Sequence, residues 1–188
     1  VVSDVAVPVQ GIYSASKHAV KGFTEALRAE LEHDGVPVSI TLIKPTSIDT
    51  PLPRRSKNYT GRRPKLPSPT YRPEEVAYAI LQCAVRPLRD VLVGDSAAAM
   101  SALYGMSPRT MDWFNENVMY EQQFAEGEPY ANADTLHQPG EDGQVRGEGA
   151  GFVVPISPYT RAVLHPIAAG VAALAAGVAA MTFFRGRS

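Results

Sequence analysis

A tyrosine and a lysine four residues apart carry the clearest chemical signal in the sequence. Tyr13 and Lys17 bound the stretch Tyr-Ser-Ala-Ser-Lys, and on a helix this spacing places the phenol and the ammonium group on one face. A free tyrosine, with a pKa of about 10, is a poor acid–base catalyst at neutral pH, but a neighbouring cation favours the phenolate and lowers that pKa. The pair therefore predicts a group that donates and accepts protons. Taken alone, the spacing also fits a core tyrosine beside a surface lysine.

The surrounding sequence predicts the elements that position this pair. Apolar residues recur near helical spacing over residues 12–33, which predicts a helix. The β-branched run 38–43 predicts a strand buried on both faces, as in a parallel sheet. A second helix is predicted from Pro73 to before Pro87, followed by a second buried strand over 90–94. This order indicates an α/β fold and the second half of a doubly wound sheet.

With its flanks included, the tyrosine–lysine stretch closely resembles the active-site helix of the short-chain dehydrogenase/reductase family. The resemblance is carried by GIYSASKHAVKGFTEALR at 11–28 and by IKPTSIDT at 43–50, which is similar to the family's Pro-Gly-x-x-x-Thr segment but has Thr46 in place of the glycine. The helix starting at 72–77 and the strand at 91–94 match the family's last helix and strand. The resemblance covers roughly residues 1–95 and implies a Rossmann-like, NAD- or NADP-dependent oxidoreductase, with a slight preference for NADP.

By position, the resemblance implies roles for four residues. Tyr13 is the general acid/base that protonates a carbonyl oxygen or deprotonates an alcohol. Lys17 binds the nicotinamide ribose and modulates the pKa of Tyr13. Backbone groups of Ile48 hold the nicotinamide carboxamide, and Thr50 hydrogen-bonds near the cofactor phosphates or carboxamide. The implied substrate is a small molecule with a carbonyl or a secondary alcohol.

Two other parts of the family's site are not found in the sequence. The family's catalytic serine precedes the tyrosine at a position that falls just before Val1, and Ser3 is too near Tyr13 to replace it well. The glycine-rich phosphate-binding turn is also missing, since the glycine-rich stretch 140–151 follows no buried strand and is interpreted as linker. We therefore expect an N-terminally truncated fragment that is inactive alone.

Composition excludes several classes of function. The chain has 18 Lys+Arg and 19 Asp+Glu, so no global positive field predicts nucleic-acid binding. One cysteine, Cys83, excludes an internal disulfide framework and a cysteine-based zinc site, and is interpreted as a small core residue. The four histidines are too scattered for a metal centre, so no metal is implied. His18, beside Lys17, is interpreted as an ordinary, partly buried helix residue rather than a site residue.

The segment 51–72, called here the basic segment, has an unusual composition. It holds seven basic residues, five prolines and no acidic residue, which predicts neither a helix nor a central strand. We expect a long, exposed, mobile loop that acts as a lid over a site. Steering of an acidic substrate, contact with anionic lipid headgroups and contact with nucleic acid are the alternatives.

Charge and composition divide the chain into four parts. We expect the C-terminal half of a Rossmann-like domain at 1–100, an accessory helical region at 101–125, an acidic Gly/Pro-rich linker at 126–160 and an apolar, Ala-rich helix at 161–188. Residues 167–184 carry no charge and would span about 27 Å as a helix. A membrane anchor and a helix packed on a neighbour or a second subunit both remain open.

These observations give one main functional hypothesis and one alternative. The main hypothesis is a cytoplasmic carbonyl/alcohol oxidoreductase with Tyr13 and Lys17 at its centre, for which membrane association through residues 167–184 and homo-oligomer formation are both open. The alternative is a catalytically silent Rossmann-like binding or scaffold protein, tethered through its C-terminal helix.

Overall fold

The computed structural model describes residues 1–130, 135, 137, 139, 143–147 and 151–185. Helices and short strands alternate along these residues. In chain order they are α1 (Gly11–His33), β1 (Leu42–Pro45), α2 (Leu52–Arg55), β2 (Arg63–Pro64), β3 (Thr70–Tyr71), α3 (Pro73–Val85), β4 (Asp90–Val93), α4 (Asp95–Met106), α5 (Pro108–Phe114), a π-helix (Asn115–Met119), α6 (Tyr120–Gln122), β5 (Phe124–Ala125), β6 (Val153–Val154), α7 (Pro158–Leu164) and α8 (Pro166–Arg185).

A pair of parallel strands forms the centre of the fold. β1 and β4 lie side by side in the register Leu42↔Asp90 to Pro45↔Val93. α3 and α7 cover one face of this pair, where Ala79, Val91 and Leu164 belong to one buried cluster. The mixed α/β class predicted from the sequence is confirmed. Among the described residues, the strands form three separate two-stranded sheets. The doubly wound arrangement therefore stays a prediction.

Helix α1 is fastened to the start of both central strands by one buried arginine. Arg28 Nη2 donates to the carbonyl oxygens of Ile40, at 3.2 Å, and Arg89, at 3.0 Å, just before β1 and β4. Because this guanidinium is buried, its bonds to two separate chain segments fix how α1 meets the strands. The helix predicted over 12–33 is confirmed with one additional residue at its start.

The first central strand lies further along the chain than the sequence predicts. The prediction placed it at 38–43, whereas β1 is Leu42–Pro45. Its extent is set by β4, which offers four partners beginning at Asp90. Pro45 is tolerated because the next amide, Thr46 N, donates to Val93 O at 3.0 Å, so the missing N–H of the proline faces away from β4.

The basic segment is more ordered than predicted, and the expectation that it contains no helix is wrong. It contains α2, β2 and β3. Pro53 lies in the first turn of α2, where a proline costs no helical hydrogen bond. The last strand, Thr70–Tyr71, is buried and pairs in parallel with β6. The segment is therefore not a fully exposed loop, because its C-terminal end is part of the interior.

The region after β4 is helical and is interrupted at Ser107, directly before Pro108. Ser107 separates α4 from α5, and its side chain accepts a hydrogen bond from Thr110 N at the start of α5. β6 and the first residues of α7 lie within the predicted linker 126–160, and the division of the chain into four parts stays a prediction. Within the glycine-rich stretch 140–151, residues 140–142 and 148–150 lie outside those described.

Helix α7 is held against α3 and β4 by polar side chains. The buried Glu75 accepts two bonds from Arg161, the shorter at 2.7 Å, and one from Ser157 N at 3.2 Å. The hydroxyl of the buried Thr160 accepts from Gly94 N at 3.0 Å and donates to Leu92 O at 3.4 Å. These bonds hold residues 157–161 against the edge of β4.

The apolar C-terminal residues 167–184 lie within α8. In the part of the chain that the structure describes, no single helix has the length and hydropathy of a membrane span. The helical segments 158–164 and 166–182 meet the length and hydropathy required of a membrane span only when they are taken as one segment, and the chain bends by 119° between them.

Candidate active site

The N-terminal part of α1 carries the predicted catalytic pair on one face. Lys17 Nζ lies 5.2 Å from the centroid of the Tyr13 ring, and the Tyr13 side chain is 41% exposed. The start of the helix is fixed by Ser14, which is buried and accepts a hydrogen bond from Val7 N at 3.2 Å. The pair is therefore presented by a helix end that is tied to the preceding loop.

One cavity brings together all four residues predicted for the site. Its volume is about 340 Å³, and Tyr13, Lys17, Ile48 and Thr50 all line it. All four residues of β1 and the residues directly after it form part of the wall, so the cavity runs along β1 and past its carboxyl end. Crevices at the carboxyl ends of parallel strands are the usual ligand sites of α/β folds.

The loop that carries Ile48 and Thr50 is held extended by Tyr71. Tyr71 N donates to Ser47 O at 2.9 Å, and Tyr71 O accepts from Asp49 N at 2.8 Å. This is a parallel bridge between Ile48 and Tyr71. In such a bridge the N–H and C=O of the central residue point away from the partner. The backbone groups of Ile48 are therefore directed to the side opposite Tyr71.

Tyr71 is a positioning residue that the sequence analysis missed. Its side chain is 2% exposed, and its hydroxyl donates to Asp95 Oδ2 at 3.1 Å while accepting from Asp95 N at 3.0 Å. Burial raises the pKa of Tyr71, which keeps the phenol protonated and able to donate. Nothing in the sequence marks this residue, because its role depends on the fold bringing 47–49 and 95 to either side of it.

A second polar cluster borders the cavity through Lys44. Asp4 accepts from Lys21 Nζ at 2.8 Å, from Lys44 Nζ at 2.9 Å and from Ser101 Oγ at 3.1 Å. Burial alone would raise the pKa of Asp4, but the two lysines outweigh it and lower this pKa to about 2. Lys44 lines the cavity, so an ionised Asp4 balances a cation at the site. This cluster was not predicted from the sequence.

Other residues considered from the sequence have different positions. Ser3 is buried and lines the cavity, although we judged it a poor substitute for the family's serine. His18 is exposed, rather than partly buried as predicted, and its Nδ1 lies 2.9 Å from Ser14 O. Leu66 and Pro67 of the basic segment form part of the cavity wall, and the role of this segment as a lid stays a prediction. Among the described residues, no group of three His, Cys, Asp or Glu side chains is arranged to hold a metal ion.

Comparison with protein families gives a match in the part of the chain that contains the site. The sequence model described as short chain dehydrogenase matches residues 1–60. This range includes α1, β1 and all four predicted site residues.

Curated relatives extend the similarity beyond this range. A Bacillus subtilis protein named Uncharacterized oxidoreductase YxnA is 39% identical over 176 residues, which cover 92% of this chain and 49% of the relative. An Anopheles gambiae protein named Dehydrogenase/reductase SDR family protein 7-like is 34% identical over 57% of this chain and 35% of the relative. A Xenorhabdus hominickii protein named 3-amino-tetrahydro-pyrrolizinone reductase is 46% identical over 26% of this chain and 16% of the relative.

The chain thus spans about half the length, or less, of these curated relatives. No solved structure gives a significant match.

Proposed function

The chain belongs to the short-chain dehydrogenase family, and from that premise we propose that the protein is an NAD- or NADP-dependent oxidoreductase that interconverts a carbonyl and a secondary alcohol of a small molecule. The observation that carries this proposal is the single cavity lined by Tyr13, Lys17, Ile48 and Thr50. The relatives named as oxidoreductase, dehydrogenase or reductase support the same chemistry. They do not favour a catalytically silent scaffold.

In the proposed reaction Tyr13 is the proton carrier. Its hydroxyl gives a proton to the substrate's carbonyl oxygen during reduction and takes one from the alcohol during oxidation. The Lys17 ammonium, 5.2 Å from the ring centroid, stabilises negative charge on the phenolate. Asp4 keeps Lys44 paired at 2.9 Å, which offsets part of the positive charge at the cavity wall.

The residues present fit the nicotinamide end of a dinucleotide, which supplies the hydride when bound. A carboxamide needs both a donor and an acceptor, and the backbone N–H and C=O of Ile48 face away from Tyr71, which has bonded the neighbouring groups of the loop. Lys17 would hold the ribose hydroxyls, and Thr50 would bond near the phosphates or the carboxamide. Tyr71 and Asp95 keep this loop in place through their paired hydrogen bonds.

Several expectations from the sequence belong to this proposal. They are the doubly wound, Rossmann-like arrangement of the domain, its division at residues 100, 125 and 160, a cytoplasmic location and a homo-oligomeric state. The choice between NAD and NADP is left to the experiment.

The test uses the protein made from its native gene. NADH and NADPH are titrated by fluorescence, and turnover is then measured on a panel of aldehydes and ketones for the unaltered protein, Tyr13→Phe and Tyr104→Phe. Tyr104 is the matched control, because its side chain is 42% exposed against 41% for Tyr13 and it does not line the cavity.

We expect nucleotide binding to persist in all three proteins. Turnover is expected to fall by about 10²- to 10⁴-fold in Tyr13→Phe alone, the usual contribution of a general acid. Failure of both nucleotides to bind the unaltered protein, or equal activity of Tyr13→Phe and Tyr104→Phe, would contradict the proposal.

A further inference from the structure

Two methionines from the helical region after β4 line the cavity together with Tyr13. They are Met100 of α4 and Met119 at the end of the π-helix. Leu66 and Pro67 of the basic segment also contribute to the wall. These four side chains, called here the apolar wall, carry no charge and no strong hydrogen-bonding group. They come from elements other than those that carry Lys17, Ile48 and Thr50.

Hydrogen bonds hold Met100 in its position at the cavity. Ser96 Oγ lies 3.0 Å from Thr46 Oγ1, in the loop that continues to Ile48 and Thr50. Met100 follows Ser96 by four residues and therefore lies on the same face of α4. The adjacent Ser101 donates to Asp4 Oδ2 at 3.1 Å. This face of α4 is therefore fastened to two of the segments that surround the cavity.

Met119 is held in a comparable way. Asn115, four residues earlier, donates from Nδ2 to Ala6 O at 3.1 Å. Gln123, four residues later, donates from Nε2 to Pro8 O at 2.7 Å and accepts from Gln10 Nε2 at 2.6 Å. The partners of these bonds, Ala6, Pro8 and Gln10, all belong to the loop that precedes α1 and Tyr13. Met119 is therefore fixed over the same part of the chain that positions the proposed proton carrier.

Resting on the function proposed above, we infer that the apolar wall selects carbonyl compounds and alcohols whose substituent is a bulky hydrocarbon or aromatic group. Burying apolar area is favourable in proportion to the area removed from water. Polar or charged substituents would lose their hydration against this wall without gaining a hydrogen-bonding partner. Methionine is flexible and polarisable and contacts aromatic rings favourably, so Met100 and Met119 adapt to substituents of different shape. They act as specificity-determining residues, whereas Tyr13 carries the proton.

The test compares two substrates in the protein made from its native gene. The substrates are a ketone with an extended alkyl or aryl substituent, such as 2-decanone or acetophenone, and the small polar ketone hydroxyacetone. The variants are Met100→Gln, Met119→Gln and the double variant. Met106→Gln is the control, because Met106 lies on the same helix as Met100 but is 85% exposed and does not line the cavity.

We expect kcat/KM for the apolar ketone to fall at least about tenfold in the double variant, in line with the effect of lost apolar contacts in a substrate pocket. Turnover of hydroxyacetone, nucleotide binding and the properties of Met106→Gln are expected to stay within about twofold of the unaltered protein. Met119→Leu keeps the apolar character and is expected to retain the preference, which separates lost specificity from a folding defect.

Equal losses on both ketones, or no loss in the double variant, would overturn this inference while leaving the oxidoreductase proposal intact. A preference of the unaltered protein for hydroxyacetone over both apolar ketones would overturn it as well. If the unaltered protein binds neither nucleotide and reduces no ketone, the proposed function has failed, and the inference fails with it.

Discussion

The side-chain methyl group of Thr46 lies against the backbone of Gly94, where the two central strands end. A Cβ atom on Gly94 would overlap Thr46 Cγ2 and would lie 2.9 Å from Tyr71 Cε2. Gly94 also has a φ of +107°, a conformation that residues with a Cβ rarely adopt. Thr46 stands where the resembling family has glycine, so the glycine at 94 makes room for the bulkier residue beside the site.

Replacing this glycine is expected to destabilise the protein strongly. Gly94→Ala adds backbone strain and two close contacts, which together cost about 3 kcal/mol or more in the free energy of unfolding. Gly105→Ala is the control, because a Cβ there meets nothing within 4 Å and alanine favours the helix. Urea denaturation measures both variants. A Gly94→Ala protein as stable as Gly105→Ala would disprove the importance of this contact.

The ion pair between Glu75 and Arg161 is expected to hold the C-terminal region on the domain. Glu75 is 1% exposed, so Arg161→Met leaves a buried carboxylate without its counter-charge and should lower the free energy of unfolding by about 3 kcal/mol. The neighbouring Glu74 pairs with Arg146, whose Nε donates to it at 2.9 Å, in an exposed position.

Arg146→Met therefore serves as the matched control, since exposed pairs contribute little. Thermal and urea denaturation are compared for the two variants. Limited proteolysis is expected to cut after α3 or before α8 earlier in Arg161→Met only. Similar stability of the two variants would contradict the assignment of the buried pair.

Asp4 is expected to make stability depend on acid pH. Its pKa is lowered from 3.8 to about 2 in the folded protein, so its contribution is present above pH 3.8 and is lost as the pH falls towards 2. Asp4→Asn should cost about 1 kcal/mol at pH 6, after allowance for solvent screening, and the difference should shrink between pH 4 and pH 2. Urea titrations across this range measure it, with the exposed Asp112→Asn as control. A difference that is independent of pH would show that Asp4 acts through packing alone.

Cys83 is expected to resist alkylation in the folded protein. It is buried in the cluster formed by α3, β4 and α7, and burial raises the pKa of its thiol. The reactive thiolate is therefore both scarce and inaccessible. Mass spectrometry after treatment with iodoacetamide at pH 8 should show slow labelling without denaturant and complete labelling in urea. Rapid labelling of the native protein would mean that this cluster opens readily.

The helices and strands whose formation depends on local sequence were predictable. Those whose extent or burial depends on pairing with a distant strand were not. α1 follows from apolar spacing, α3 from apolar spacing and a proline in its first turn, and β4 from a short β-branched run. β1 lies later than predicted because its extent depends on β4, which periodicity does not reveal. The burial of Thr70 and Tyr71 has the same origin, since their partner strand is 83 residues away.

The residues of the candidate site also fall into those that the sequence predicts and those that it does not. Tyr13, Lys17, Ile48 and Thr50 were found from a motif, and they line one cavity; their roles stay predictions. Tyr71, Met100 and Met119 were not found, because neither their type nor their spacing is distinctive. Met100 and Met119 reach the cavity, and Tyr71 reaches the loop 47–49 beside it, only through the packing of the segments after Pro51, where no motif guides the interpretation.

The hydroxyl of Thr160 determines on which side the central pair of strands can be extended. In the register with β1, the carbonyl of Leu92 and the amide of Gly94 face the outer edge of β4, and Thr160 bonds to both. These are the groups that an added strand would need. A side chain thus ends the hydrogen-bond ladder on this side. Any further parallel strand, or any peptide captured by β-augmentation, would have to add beside β1.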